Sequence, residues 1–157
     1  TKNFFFSTNY TFSDSSIDIK PGDTVVRSNG TVLPAEFVVQ DGRSLQGHSK
    51  HLFNIQFGYE DVEANSSATL LLNYSSKRIR ATAPQTLPEI VERPPITLDF
   101  NYSKSFYAWG GDYEVGFKAE NLLGSDYKAR QELGGVRVDV DTYKRGQAFS
   151  LSLKRTF

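Results

Sequence analysis

His48 and His51 stand three residues apart in LQGHSKHLF and are the only histidines of a 157-residue chain that has no cysteine. Two imidazoles so spaced can share a metal only if both rings reach one side. In an extended strand residues i and i+3 point to opposite faces, and no carboxylate lies close in sequence to complete the three or four ligands such a site needs. No metal ligand is expected. Glu114 and Glu120 share one parity of a single segment, but two carboxylates on a wetted wall need no catalytic role, and no Ser/His/Asp constellation accompanies them. Neither a catalytic residue nor a cofactor is expected. The charges with the best claim to function are Arg78, Arg80, Glu92, Arg93, Arg130 and Arg137, with Glu89 and Glu132 among them. All lie where alternation weakens into loop, and function favours loops. These six form the candidate ligand mouth. Asn-x-Ser/Thr triplets at Asn9, Asn29, Asn65, Asn73 and Asn101 match the glycosylation signal. Four fall in strands or short turns, where a wall face rich in Asn, Ser and Thr accounts for them.

The segments that must position these residues alternate strictly. From Lys2 the apolar parity takes Phe4, Phe6, Tyr10 and Phe12, with Phe5 the exception; HLFNIQFGYE gives Phe53, Ile55, Phe57 and Tyr59; ITLDFNYSKSF gives Ile96, Leu98, Phe100 and Tyr102. Phe149, Leu151, Leu153 and Phe157 share a parity in RGQAFSLSLKRTF, opposite Ala148, Ser150, Ser152, Lys154 and Thr156. Side chains of a strand alternate between faces, so each segment has one apolar and one wettable wall. Strands are expected near 2–19, 50–60, 67–80, 96–106, 112–123 and 145–157. Long loops are expected near 20–48, 81–95 and 124–144, the first with a small hairpin at Asn29-Gly30, a type I′ signal.

Composition bounds the class. Lys and Arg balance Asp and Glu for a net charge of zero, which gives no electrostatic reason to expect nucleic acid. Hydrophobic residues make up 38% and no run nears the length of a spanning helix. A mean hydropathy of −0.43 still permits a membrane barrel, whose lipid face takes only alternate residues. The chain opens on Thr1 without Met or signal peptide, so a processed chain or a fragment is expected.

Connections alternate long, short, long, short, long. That is the rhythm of an up-and-down membrane barrel with short periplasmic turns and long outer loops. On that assignment Phe4, Tyr59, Phe106, Tyr113 and Phe157 all fall at periplasmic strand ends on the apolar parity, as an aromatic girdle requires. Lys104 and Arg155 share the outward parity near those ends, where a charge costs about 0–1 kcal/mol and not the roughly 2–4 of the midplane. The fold class expected is all-β, an antiparallel up-and-down transmembrane barrel segment.

A last strand that alternates and closes on Phe157 resembles the terminal strand of bacterial outer-membrane barrels. Together LQGHSKHLFNIQFGYE, ERPPITLDFNYSKSF, FKAENLLGSDY and YKRGQAFSLSLKRTF resemble the C-terminal part of TonB-dependent outer-membrane receptors, most closely at Ala119-Glu120-Asn121-Leu122-Leu123 with Tyr127 and at Gly146 to Phe157. The resemblance implies about six strands of a barrel of about 22, in the bacterial outer membrane, belonging to a protein that takes up an iron chelate, a corrinoid or an oligosaccharide. It further implies that Phe149, Leu151, Leu153 and Phe157 are read by the barrel-assembly machinery. Partners would be outer-membrane lipid and the rest of the barrel and its plug, with TonB engaged only through N-terminal parts this chain lacks. Two alternatives stand beside it: a complete eight-stranded outer-membrane protein, using the Asn29-Gly30 hairpin as wall, and a soluble adhesive β-sandwich.

Overall fold

The computed structural model describes residues 2–83 and 87–156; Thr1, Pro84 and Phe157 lie outside them, and with Phe157 its expected parts in the girdle and the assembly signal. The chain is all-β, with every pairing antiparallel. Among the described residues twelve strands occur in chain order: β1 Lys2–Phe12, β2 Thr24–Val26, β3 Val32–Pro34, β4 His51–Asp61, β5 Ser66–Ser75, β6 Arg78–Ala81, β7 Ile90–Arg93, β8 Thr97–Ala108, β9 Gly111–Glu120, β10 Tyr127–Leu133, β11 Val136–Tyr143 and β12 Ala148–Thr156. Among the described residues no helix is long and apolar enough to cross a membrane.

Six strands form the large sheet in the order β1-β4-β5-β8-β9-β12. Register aligns the apolar parities of all six. One row runs Phe6–Phe57–Leu70–Phe100–Ala119–Phe149, and the next runs Phe4–Tyr59–Ala68–Tyr102–Phe117–Leu151. A slip of one residue in any pair would break these rows. Short turns join the strands at one end. Trp109 and Gly110, with φ of 48° and 74°, link β8 to β9 with the two positive φ values of a type I′ turn. Residues 62–65 link β4 to β5, where Asp61 Oδ1 accepts from Ala64 N at 3.1 Å. Ser66 of β5 pairs with Lys104 while β8 continues to Ala108, so turn ends step down across the sheet. Among the described residues β1 and β12 pair only with β4 and β9.

The sheet has no dry core. Ala35, Ala119 and Ala129 are the buried hydrophobic residues among those described, and no large side chain is fully buried. Phe4 is 67% exposed and Leu151 78%. Each such side chain forgoes about 1.5–3 kcal/mol of burial. Phe5, the aromatic on the polar parity, lies over Gly58: a Cβ at Gly58 would fall 1.9 Å from its ring. The ring covers the glycine and explains the exception.

Several boundaries differ from the alternation. β1 stops at Phe12, not near 19, because Ser13 to Ser16 supplies a polar run; beyond it Ser13 N–Lys50 O and Ile17 N–Arg43 O bonds at 3.0 and 2.9 Å replace the ladder. The segment expected as 67–80 divides into β5 and β6 at Ser76, whose hydroxyl accepts from His51 N at 3.1 Å. The segment expected as 112–123 ends at Glu120. Around Asn29-Gly30 only the glycine has positive φ, and an Arg27 N–Thr31 O bond of 2.9 Å closes a wider loop than type I′. Each strand of that hairpin has 3 residues.

The regions expected as loops near 81–95 and 124–144 are not open coil. They contribute β7, β10 and β11 to a four-stranded sheet ordered β11-β10-β7-β6. Its members adjoin in sequence β12, β9, β8 and β5, which neighbour one another in that same order. The second sheet thus repeats the strand order of the first beyond its long-connection end. Short length hid it: β6 and β7 have 4 residues each, too few to display a period, and β7 carries Glu92 and Arg93 on opposite faces.

Candidate functional site

The six mouth candidates all lie on the second sheet, divided between its faces. Arg78 pairs with Glu92 in the β6–β7 register, and Lys128 with Arg93 in β7–β10. Parity then puts Arg78, Arg80 and Glu92 on one face and Arg93, Arg130 and Arg137 on the other.

On the first face Glu92 is the hub. It is 8% exposed, one carboxylate oxygen accepting from Arg78 Nε and the other from the Tyr127 hydroxyl. Burial alone would raise its carboxyl, but these bonds and the Arg78 and Arg80 charges outweigh that and hold it below the usual range. Burial first, then the bond to Glu92, pushes the Tyr127 phenol up to about 12. Arg80 Nη1 donates to Asp141 at 2.7 Å, its guanidinium sits 5.7 Å from the Tyr127 ring centre, and Tyr127 stacks on Tyr143 at 4.8 Å. Arg78, Arg80, Glu92, Tyr127 and Asp141 are each engaged by a neighbour here. This face acts as a fastening between the two long connections, and the sequence did not disclose Tyr127 or Asp141 as its members because they come from β10 and β11.

The second face borders a cavity of about 330 Å³ whose lining includes Lys77, Arg93, Lys128, Arg130 and Arg137. Arg130 Nε donates to Asp139 at 2.6 Å and Arg137 Nε to Glu132 at 3.1 Å. A neighbouring cavity of about 540 Å³ shares Gln40, Pro88 and Glu89 with it and is lined further by residues 19–21 and by Glu36, Val38, Val39, Asp41 and Arg43. There Arg43 Nη1 donates to Glu89 at 2.8 Å, joining the first long connection to the second. Lys77 and Lys128 were not among the candidates; what reveals them is register, not local pattern.

The histidines serve as fasteners. Both ring nitrogens of His48 lie 2.8 Å from hydroxyls, of Ser15 and Ser13, and His51 Nδ1 meets the Tyr10 hydroxyl at 2.9 Å. Among the described residues no three His, Asp or Glu are placed to hold a metal. Glu120 pairs with Lys118 at 2.9 Å, and Glu114 faces Lys154 across β9–β12.

At the short-turn end, rings from neighbouring strands lie in pairs. Phe4 and Tyr59 lie 5.0 Å apart and Phe106 and Tyr113 5.8 Å. Trp109, 83% exposed and 5.6 Å from Tyr113, joins them; its place inside a tight turn had concealed it. Phe149, Leu151 and Leu153 stand exposed on the apolar face of β12.

Asn121, in the AENLL motif, ends β9 at a φ of 55°. Its backbone N donates to Asp99 Oδ1 at 2.8 Å, its Nδ2 to Gly146 O at 2.6 Å, and its Oδ1 accepts from Ser125 N at 3.1 Å. One buried side chain thus ties β9 to the start of β12. Asn121→Ala is expected to cost about 1–3 kcal/mol for buried groups left unpaired, measured by chemical denaturation. Asn121→Gly, which relieves the backbone, should recover only a fraction.

No known protein family, curated protein or solved structure matches the chain.

Proposed function

We propose that this chain is the C-terminal barrel wall, with outer loops, of a TonB-dependent outer-membrane receptor that takes up a scarce nutrient: an iron chelate, a corrinoid or an oligosaccharide. One observation carries the membrane part of this reading. A six-stranded antiparallel meander presents a predominantly apolar face, with rings and the charges of Lys104 and Arg155 at the short-turn end, a polar face opposite, and no large side chain fully buried among the described residues. Lipid covers the first face at no cost in desolvated polar groups, while a wet lumen solvates Asp99, Lys118 and Glu120 on the second. The receptor part rests on the residues that resemble that family. On it, the chain acts without catalysis, lining a lumen and presenting loops; β12 carries the assembly signal read by the barrel-assembly machinery; and TonB engages the receptor through N-terminal parts outside this sequence.

Open edges do not persist in lipid, so β1 and β12 pair with further strands of the same barrel. The hairpin β2–β3 cannot supply them, since strands of 3 residues fall far short of the roughly 9–11 a tilted span needs. That weighs against the complete eight-stranded protein. The exposed apolar face weighs against a soluble sandwich, in which two such faces cover each other.

Refolded alone in detergent, the chain is expected to give sheet signal without a compact, heat-sensitive gel band. Such a band from this chain alone would instead mean a closed small barrel.

A further inference from the structure

Three cations form one row across the second sheet. Arg93 of β7 pairs directly with Lys128 of β10. Arg78 pairs with Glu92, and the same register carried one residue on brings Lys77 toward Arg93. Neighbouring strands lie about 4.8 Å apart, so three positive side chains share one face at a spacing close to that of their strands. Like charges directly opposite destabilise a sheet. All three are exposed and line the 330 Å³ cavity.

The carboxylates that might neutralise them are occupied. Of the two in the lining, Glu132 accepts from Arg137 and Glu89 from Arg43. Asp139, beside them on β11, holds Arg130. Among the described residues Lys77, Arg93 and Lys128 form no ion pair. In a chain of zero net charge this is a local concentration of positive charge, in a concave site, with its own counter-ions withdrawn. We propose that this row binds a small soluble polyanion carrying two or more carboxylate or phosphate groups. Arg93 offers a planar fork to one anionic group, and the flanking lysines offer point charges to the next. The paired Arg130 and Arg137 border the site and keep its carboxylates turned away. That this polyanion is the nutrient taken up rests on the receptor reading above; that the site binds it does not.

Calorimetric titration of the full protein in detergent with citrate and with pyrophosphate tests the proposal, against glycerol as an uncharged probe. At least one polyanion should bind, more weakly at high salt, and glycerol should not. Arg93→Gln with Lys128→Gln should weaken binding by at least about tenfold, as loss of charge-assisted bonds predicts. Lys144→Gln, outside the lining, should leave it unchanged. A preserved sheet spectrum in the double variant separates lost binding from lost fold. No binding of either anion, or equal binding by the double variant, overturns the proposal. Membrane insertion assayed on the same preparation keeps the two readings apart: a protein that inserts but binds no polyanion refutes this site alone, and one that binds without inserting refutes the barrel.

Discussion

Leu70→Arg is expected to cost about 2–4 kcal/mol of membrane-inserted stability, the depth-dependent penalty for a cation on the lipid face of a barrel. Leu70 lies between Phe57 and Phe100 in a row that continues to Phe6 and Phe149. A guanidinium there has no carboxylate within its row and must snorkel past rings to reach water. Converted at about 1.4 kcal/mol per tenfold, the loss is roughly thirty- to a thousandfold in the folding equilibrium. Asn54→Arg is the matched control. Asn54 is exposed on the opposite parity, between Asn9 and Asn73, and arginine facing water there should change stability by less than about 0.5 kcal/mol. Denaturant titration of the protein folded into lipid vesicles reads both. Equal effects of the two substitutions would mean that neither face is set against lipid.

The second large effect falls outside the span. Glu92→Ala strips a buried carboxylate from the Arg78 guanidinium and the Tyr127 hydroxyl together, and the groups left behind should cost about 1–3 kcal/mol. β6 and β7 come from one long connection and β10 from another, so this loss should loosen the second sheet before the first. Hydrogen exchange of β7 and β10 amides should rise while that of β4 and β5 stays put. The acid dependence has a definite sign. Glu92 titrates lower in the fold than in the unfolded chain, so its stabilisation is complete above the ordinary carboxylate value, about 4.3, and is lost as pH falls from there through the lower folded value. Wild-type exchange in β7 and β10 should therefore quicken over that acid window. In Glu92→Gln this part of the dependence should be absent.

The large sheet was legible because its strands keep the central stretch of one parity apolar, with off-parity charges such as Lys104 and Arg155 only near strand ends. Phe53, Ile55, Phe57 and Tyr59 declare a face without any knowledge of a partner, and register then follows from aligning faces. The second sheet was not legible, because β6 and β7 have only 4 residues each and Glu92 and Arg93 put charge on both sides of β7, which reads as loop. Its ion pairs join residues as distant as Arg80 and Asp141, and no local pattern carries that. The mouth candidates were therefore found as a set but not as two opposed faces. Phe5 broke the alternation for a reason held on the next strand, in the bare backbone of Gly58.

The apolar face of the large sheet is expected to meet lipid. Because the chain has no cysteine, single cysteines at Leu70, Phe100 and Leu151 and at Asn54, Asn101 and Ser152 can each carry one fluorophore. With nitroxide-bearing lipids in the membrane holding the assembled protein, the first three should be quenched strongly and the second three little, with adjacent residues differing on β8 and β12. Quenching that ignores parity, or that is absent at all six, would contradict the account.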